Sequence, residues 1–177
     1  MPSFITTEGQ TIRAVQTGDW SIVRDVCVEM LLDSPDAFAE TLAEAQGRSP
    51  SEWSLFVERC ARGNEMSAFL AEDNDGVCGF VRGDTTDPRI PPDTVLVSQL
   101  WVARRQRGTG LGRELMNAVT KWAEDRQAER ISLGVAESNL GVQKFYERLG
   151  YADTGIRVPL PSDHTLQVVV MAKRLTS

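Results

Sequence analysis

The stretch VLVSQLWVARRQRGTGLGR, residues 95–113, decides how this 177-residue chain is organised. It begins as an apolar run rich in β-branched residues, typical of a buried strand, and ends in a glycine-rich turn that opens an amphipathic helix. Glycines let a backbone approach a ligand closely, and the free N–H groups at a helix start attract an anion. The spacing fits neither the dinucleotide fingerprint nor the phosphate loop that ends in Gly-Lys-Ser/Thr. The stretch therefore predicts a strand, a turn that holds phosphates and a helix.

The rest of the chain predicts further strands and helices around this stretch. Apolar runs bounded by turn residues predict seven strands, at residues 11–15, 66–72, 77–82, 95–103, 131–135, 153–159 and 166–173. Five helices are predicted to start at Asp19, Ser34, Ser49, the glycine turn and Asn139, the second running unbroken to Gly47. A helix separates strands 95–103 and 131–135, so we expect these two to be parallel. At this length we expect one α/β domain covering residues 1–177.

Composition narrows the function classes. A net charge of −6 without a dense Lys/Arg cluster argues against a nucleic-acid partner. No apolar run approaches the roughly 20 residues that span a bilayer, and the first ten residues lack the pattern of a signal peptide. We therefore expect a cytoplasmic protein with no membrane partner. Three widely spaced cysteines, Cys27, Cys60 and Cys78, predict buried thiols and no metal site.

A first motif lies in the opening stretch. Arg107, Gly110 and Gly112 have the spacing Gln/Arg-x-x-Gly-x-Gly/Ala, directly after a strand that carries Leu100-Trp101-Val102. This arrangement resembles the acyl-CoA loop of the GNAT superfamily of acetyl-CoA-dependent N-acetyltransferases. From the residues alone, an ordinary turn with glycines for tight packing is the alternative.

A second motif follows where the same superfamily has one. Asn139-x-x-Val142-x-x-x-Tyr146, with Gly150-Tyr151 after it, is similar to the superfamily's Asn-x-x-Ala-x-x-x-Tyr-x-x-x-Gly-Phe. Valine in place of alanine and tyrosine in place of phenylalanine are mild departures. With strand, loop, helix and second motif in the same order, the resemblance runs from about residue 11 to residue 175.

The resemblance implies a fold and a cosubstrate. The fold is α/β (α+β), with a mixed central sheet of about seven strands, splayed central parallel strands and helices on both faces. The resemblance implies that acetyl-CoA would be the cosubstrate and that no metal would be needed. Main-chain groups of Leu100, Trp101 and Val102 would bond the pantetheine arm. The pyrophosphate would be held by the amides of the loop Arg107, Gly108, Thr109, Gly110, Leu111 and Gly112.

The resemblance also implies catalytic roles. Tyr146 would act as general acid toward the departing thiolate, although an amphipathic core tyrosine is the alternative. Asn139 would cap its helix and also contact the CoA arm. Many relatives place a glutamate on the strand before the glycine loop as general base, whereas this chain has Ser98 and Gln99 there. Ser98 could orient a water instead, or simply pack.

Contacts to the acceptor are expected from the first two helices and the last hairpin. Asp33, Phe38 and Glu40 would suit a cation with an apolar part, although acidic residues at a helix start also complement its dipole. Asp84 follows a strand and could face the acceptor or close a turn. His164 in the last hairpin is an outside candidate.

The function implied is direct transfer of acetyl from acetyl-CoA to a primary amine, with backbone N–H groups stabilising the oxyanion. The opening segments resemble the small-molecule branch of the superfamily, in which an aminoglycoside or another amine antibiotic is a plausible acceptor and resistance a plausible role. A polyamine, an amino acid or a protein N-terminus stays open as acceptor. A non-catalytic acyl-CoA-binding regulatory domain is the rival class. Dimers are common in the superfamily, so a homodimer is also open.

Overall fold

The structure is a computed structural model that describes residues 9–175 and the backbone of residues 4–5. The strands are β1 (Phe4–Ile5), β2 (Thr11–Ala14), β3 (Met66–Asp73), β4 (Gly76–Asp84), β5 (Thr94–Val102), β6 (Arg130–Ala136), β7 (Ala152–Leu160) and β8 (Asp163–Arg174). The α-helices are α1 (Trp20–Asp33), α2 (Leu42–Gly47), α3 (Pro50–Arg62), α4 (Leu111–Asp125) and α5 (Leu140–Arg148). Short 3-10 turns cover Pro35–Ala37 and Arg104–Gln106.

The strands form one mixed sheet in the order β1-β2-β3-β4-β5-β6-β8-β7. Neighbouring strands are antiparallel except β5 and β6, which α4 connects and which run parallel as predicted. The seven predicted strands are all present, and the two-residue β1 is an addition that the sequence did not indicate. The predicted fold class is therefore confirmed.

Helices cover both faces of the sheet, as predicted. On one face, a methyl group added to Gly83 of β4 would lie 2.8 Å from side-chain atoms of Val119 and Trp122, so α4 packs directly on the strand. On the other face, the guanidinium of Arg82 lies 5.6 Å from the ring centre of Phe56 in α3. Successive strand residues point to opposite faces, so β4 separates an α4 face from an α3 face.

The predicted second helix is wrong in one respect, because residues 34–47 form two elements. The chain makes a 3-10 turn, becomes extended at Phe38, and starts α2 only after Thr41. The Ser34 hydroxyl donates to Asp33 (2.9 Å) instead of capping a helix. Thr41 and Glu44 form a full capping box, which fixes a new helix start at this point.

Cys27, Cys60 and Cys78 are free and buried, as predicted. Within the described residues, no helix combines the length and apolarity needed to cross a membrane.

Candidate functional site

The gap between β5 and β6 is the central feature of the site. The two parallel strands pair over only four residues each, from Thr94 with Arg130 to Val97 with Leu133. Both continue beyond that point, β5 to Val102 and β6 to Ala136, without pairing with each other. The predicted splay is therefore present.

A β-bulge in β5 lies just past the last parallel pair. Arg82 of β4 pairs with Ser98 and Phe80 pairs with Trp101, so Gln99 and Leu100 together oppose one residue of β4. Gln99 has φ 57°, the left-handed region that side chains other than glycine rarely adopt. Such strained backbone tends to persist at functional sites.

The glycine turn leaves main-chain donors free at the start of α4. Gly108 and Gly110 have φ +83° and +95°, and a Cβ on either would meet no heavy atom within 4 Å. Gly110 occupies the N-cap position without a side-chain cap. Among the described residues, no acceptor bonds the N–H groups of Gly108, Gly110 or Gly112. This open cradle of N–H groups fits a pyrophosphate.

Gly112 differs from the other two glycines of the turn. A Cβ there would lie 3.4 Å from Phe145 and 3.7 Å from Val102, which are ordinary contacts, and its φ is not in the left-handed region. An alanine would fit this position. The geometry thus explains why the resembling signature requires glycine at the position of Gly110 and accepts Gly/Ala at that of Gly112.

Asp33 lies beside the turn that precedes the glycines. Its carboxylate accepts from Arg104 Nε (2.7 Å), from Trp101 Nε1 (3.3 Å) and from Arg107, with which it forms an ion pair. Burial raises the pKa of Asp33, but the hydrogen bonds from the two arginines outweigh it and hold the pKa well below its usual range. The structure therefore places Asp33 against the loop predicted to bind CoA.

Asp73 holds the other side of the same turn. It pairs with Arg105 (3.1 Å) and accepts from Gln106 Nε2 (2.8 Å). The hydrogen bond from Arg105 is the main reason that the pKa of Asp73 falls to about 2. With Arg105 paired to Asp73, and Arg104 and Arg107 paired to Asp33, the turn is fixed from both sides.

The main chain of β5 faces the gap at Val102. The N–H of Ala103 donates to the main-chain carbonyl of Cys78 in β4 (2.9 Å). Because successive residues of a strand alternate in direction, the N–H and C=O of Val102 point away from β4. The Val102 carbonyl already accepts from Arg107 Nε (3.0 Å). Arg107 thus contacts, through its side chain, a strand carbonyl that was predicted to bond the pantetheine arm.

Tyr146 lies on α5 within a group of three aromatic rings. Its ring centre is 5.1 Å from that of Phe145 and 5.6 Å from that of Tyr151, both edge-on. The side chain is buried, and burial raises the pKa of its hydroxyl. No hydrogen bond joins this hydroxyl to another described residue. Asn139 caps the helix by accepting from Val142 N–H (3.2 Å), as predicted.

A polar cluster lies on the α3 face of the bulge; we call it the Glu40 cluster, formed by Glu40, Arg48, Arg82, Ser98 and Gln99. Glu40 forms an ion pair with Arg48 (2.7 Å) and accepts from Gln99 Nε2 (3.3 Å). Arg82 Nε donates to the Ser98 hydroxyl (3.0 Å). No sequence pattern marks Arg48, Arg82 or Gln99 as a site residue, because their juxtaposition depends on the bulge and on the break before α2.

The remaining predicted residues have local roles in the structure. Phe38 is buried, and its carbonyl accepts from the Ser162 hydroxyl (2.7 Å), which ties the last hairpin to this segment. Asp84 accepts from Thr86 N–H and hydroxyl (2.7 Å each), which closes a turn after β4. His164 is exposed.

Comparison with known proteins identifies the family. The model of the acetyltransferase (GNAT) family matches residues 30–151, more than half of the chain. An uncharacterized N-acetyltransferase of Mycobacterium tuberculosis is 32% identical over 112 residues, which cover 61% of this chain and 67% of that protein. The chain therefore belongs to the GNAT family and is an acetyl-CoA-dependent N-acetyltransferase.

Solved structures agree in fold. The protein yncA of Salmonella typhimurium, solved with its cofactor acetyl-CoA, superposes with a TM-score of 0.75 at 19% identity, covering 96% of each chain. Spermidine N-acetyltransferase of Vibrio cholerae, in complex with CoA and spermine, has a TM-score of 0.71 at 18% identity over 95% of this chain and 96% of that one. At such identities the likeness concerns the fold.

The residues present fit acetyl-CoA as cosubstrate. The free N–H groups of the glycine turn match its pyrophosphate, and the unpaired edge of β5 matches its amide-containing arm. Within residues 9–175, no group of three His, Cys, Asp or Glu side chains is close enough together to hold a metal ion.

Proposed function

We propose that the protein transfers the acetyl group of acetyl-CoA directly to a primary amine of a small molecule. The observation that carries this proposal is the gap between β5 and β6, which begins at Val97 and Leu133 and is bordered by the open glycine cradle. Bound acetyl-CoA supplies an activated thioester. The loop residues Arg107, Gly108, Thr109, Gly110, Leu111 and Gly112 hold its phosphates through their backbone, and the β5 edge at Leu100 and Val102 aligns its arm.

Tyr146 is proposed as the general acid. A hydroxyl with a raised pKa stays protonated at neutral pH, so it is able to donate to a sulfur that gains negative charge. Having no partner among the described residues, the hydroxyl is available to the reactants. The main-chain N–H of Val102 faces the gap and is placed to stabilise the developing oxyanion.

The acceptor is proposed to carry one reacting amino group and few further positive charges. Of the acidic residues considered for this role, Asp33 is bonded to the loop arginines and Asp84 closes a turn. Glu40 is then the carboxylate of this set that lies beside the bulge, where Arg48 and Arg82 add positive charge. This balance favours a small monoamine over a polyamine or an aminoglycoside.

The test is thiol release from acetyl-CoA across a panel of amines that includes monoamines, amino acids, polyamines and aminoglycosides. Tyr146→Phe should lower turnover about 10²- to 10⁴-fold with unchanged affinity for CoA. Tyr151→Phe, which removes the hydroxyl of the neighbouring buried ring, is the matched control and should keep turnover. Thiol release that Tyr146→Phe leaves unchanged would remove Tyr146 from the mechanism. If no amine of the panel gave thiol release while the protein still bound CoA, the proposed function would be refuted.

A further inference from the structure

β5 carries no carboxylate at the gap, where Ser98 and Gln99 follow the last residue that pairs with β6. The structure brings a carboxylate to this place from another element. Glu40 lies in the non-helical segment just before α2, and its Oε2 accepts from Gln99 Nε2 at 3.3 Å. Only 13% of the Glu40 side chain is exposed. Charged side chains are rarely this little exposed, so a largely buried carboxylate beside the gap is a candidate functional residue.

We propose that Glu40 is the proton acceptor for the attacking amine and that Gln99 is the residue that positions it at the gap between β5 and β6. The inference rests on the acetyl transfer proposed above. It assigns the missing general base to a residue outside the strand.

The backbone at Gln99 is the first support. This residue lies two positions past the last parallel pair, Val97 with Leu133, where β5 leaves β6. Its left-handed backbone costs roughly 1–2 kcal/mol for a residue other than glycine, which persists only when neighbouring structure fixes it. The Gln99 Oε1 atom is buried and has no hydrogen-bond partner in the described structure. An amine N–H would satisfy this acceptor, since a buried polar atom without a partner is unfavourable.

The positions of the two proposed proton-transfer groups are the second support. Phe145 of α5 lies against Gly112 and Val102, so α5 is on the α4 face of the sheet. Glu40 and Gln99 are on the α3 face, with Ser98 and Arg82. A base on one face and Tyr146 on the other suit an amine that attacks from one side while the thiolate departs from the opposite side.

The proton balance is complete with these two residues. The Glu40 carboxylate takes one proton from the acceptor ammonium, whose freed lone pair forms the N–C bond with the acetyl carbon. As the C–S bond breaks, its electron pair stays on sulfur, which receives the Tyr146 proton. The second amine proton leaves through water and restores Tyr146, and Glu40 releases its proton to solvent. The net reaction yields amide, thiol and one proton.

Charged and titratable groups around Glu40 tune its basicity. Burial raises the pKa of Glu40, Arg48 and Arg82 oppose this rise, and Glu44 adds to it. Burial raises the pKa of the Cys27 thiol on α1, and the charge of the Glu40 carboxylate adds to that rise. A carboxylate whose pKa is above the ordinary value is a stronger base than an exposed glutamate.

The experiment compares pH profiles of kcat/KM for the wild type, Glu40→Gln and Glu44→Gln. Glu44 is the matched control, four residues away and exposed, and glutamine keeps its capping box. Glu40→Gln should lose about 10²- to 10⁴-fold at neutral pH, and its rate should rise tenfold per pH unit until the free amine deprotonates by itself. Glu44→Gln should keep the wild-type rate at neutral pH, and its profile should shift only slightly to lower pH, because Glu44 is the smallest contribution to the raised pKa of Glu40. A Glu40→Gln profile with the wild-type shape and a uniform loss would refute the base and leave Glu40 a structural partner of Arg48.

A second readout is independent of turnover. Carbon-13 NMR of glutamate-labelled protein should show a raised titration midpoint for the carboxyl signal that Glu40→Gln removes. Gln99→Met should raise that midpoint further, because it removes an N–H bond to the charged form. An ordinary midpoint for Glu40, or one unmoved by Gln99→Met, would overturn the assignment. Failure of the acetyl transfer itself is distinguishable, because the wild type would then acetylate no amine.

Discussion

Gly110→Ala tests whether the glycine turn binds the phosphates of acetyl-CoA. The perturbation adds one methyl group to a residue with φ +95° at the N-cap of α4. Gly155 provides the matched control, because it has φ +80°, is exposed in the last hairpin and likewise has no heavy atom within 4 Å of an added Cβ. The two variants therefore share the same backbone strain but differ in their distance from the cradle.

The magnitudes follow from the geometry. Neither methyl group clashes with the protein, so the cost to folding is backbone strain of about 1–2 kcal/mol, reduced by about 0.4–1 kcal/mol because alanine also restricts the unfolded chain. We expect each variant to lose about 1 kcal/mol of unfolding free energy. At Gly110 the methyl group also displaces the anion from an N–H donor. Losing one charge-assisted hydrogen bond costs roughly 1.5–3 kcal/mol, or about 10- to 100-fold in affinity.

Two measurements separate these effects. Urea unfolding should give similar midpoint decreases for both alanine variants, and calorimetric titration with CoA should give a weaker Kd for Gly110→Ala alone. Wild-type CoA affinity in Gly110→Ala would refute the cradle. Equal losses of affinity in both variants would show that strain, rather than the position of the methyl group, controls binding.

Two further variants test the packing around the site. Gly83→Ala should lower stability by about 1–3 kcal/mol, measured by thermal unfolding, because its Cβ would lie 2.8 Å from α4; Gly47→Ala, with open space, should not. Asp33→Asn should lose about 1–2 kcal/mol, since its arginine partners are largely exposed. The folded pKa of Asp33 is lowered, so its contribution is present above about pH 4 and is lost with acid. If the urea midpoints of the wild type and of Asp33→Asn changed equally with pH, Asp33 would not be the source of this pH-dependent stability.

The strands could be predicted from the sequence because each has local signals. Alternating or continuous apolar runs end at Gly, Pro, Asn or Asp, and the helix between β5 and β6 favours the parallel pair that the structure shows. At residues 34–47, Ser34-Pro35 predicts the start of one helix, whereas the structure has a 3-10 turn there and begins α2 after Thr41. Thr41 and Glu44 have the same spacing as Ser49 and Glu52, so the sequence does contain a signal for the second start.

The site was harder to predict than the fold, because its contacts join distant segments. The sequence predicts Glu40 as an acceptor contact, but its hydrogen bond with Gln99 joins residues 59 positions apart and depends on a bulge. The bulge arises because two residues of β5 oppose one of β4, which no local pattern indicates. Asp33 was also considered for the acceptor, whereas its contacts to Arg104 and Arg107 lie at the CoA loop, 71 and 74 positions away.

The non-helical segment between α1 and α2 links the predicted CoA loop to the bulge in β5. At one end of this segment, Asp33 holds the turn that leads into the glycine cradle. At the other end, Glu40 contacts the bulge, and between them Phe38 is bonded to Ser162 of the last hairpin. A continuous helix over the same residues would rise about 1.5 Å per residue along one axis, whereas here the backbone leaves the helix at Phe38 and bends at residues 38–40. In this non-helical stretch Glu40 contacts Gln99 of β5, so a base supplied from outside the strand depends on this departure from the helix.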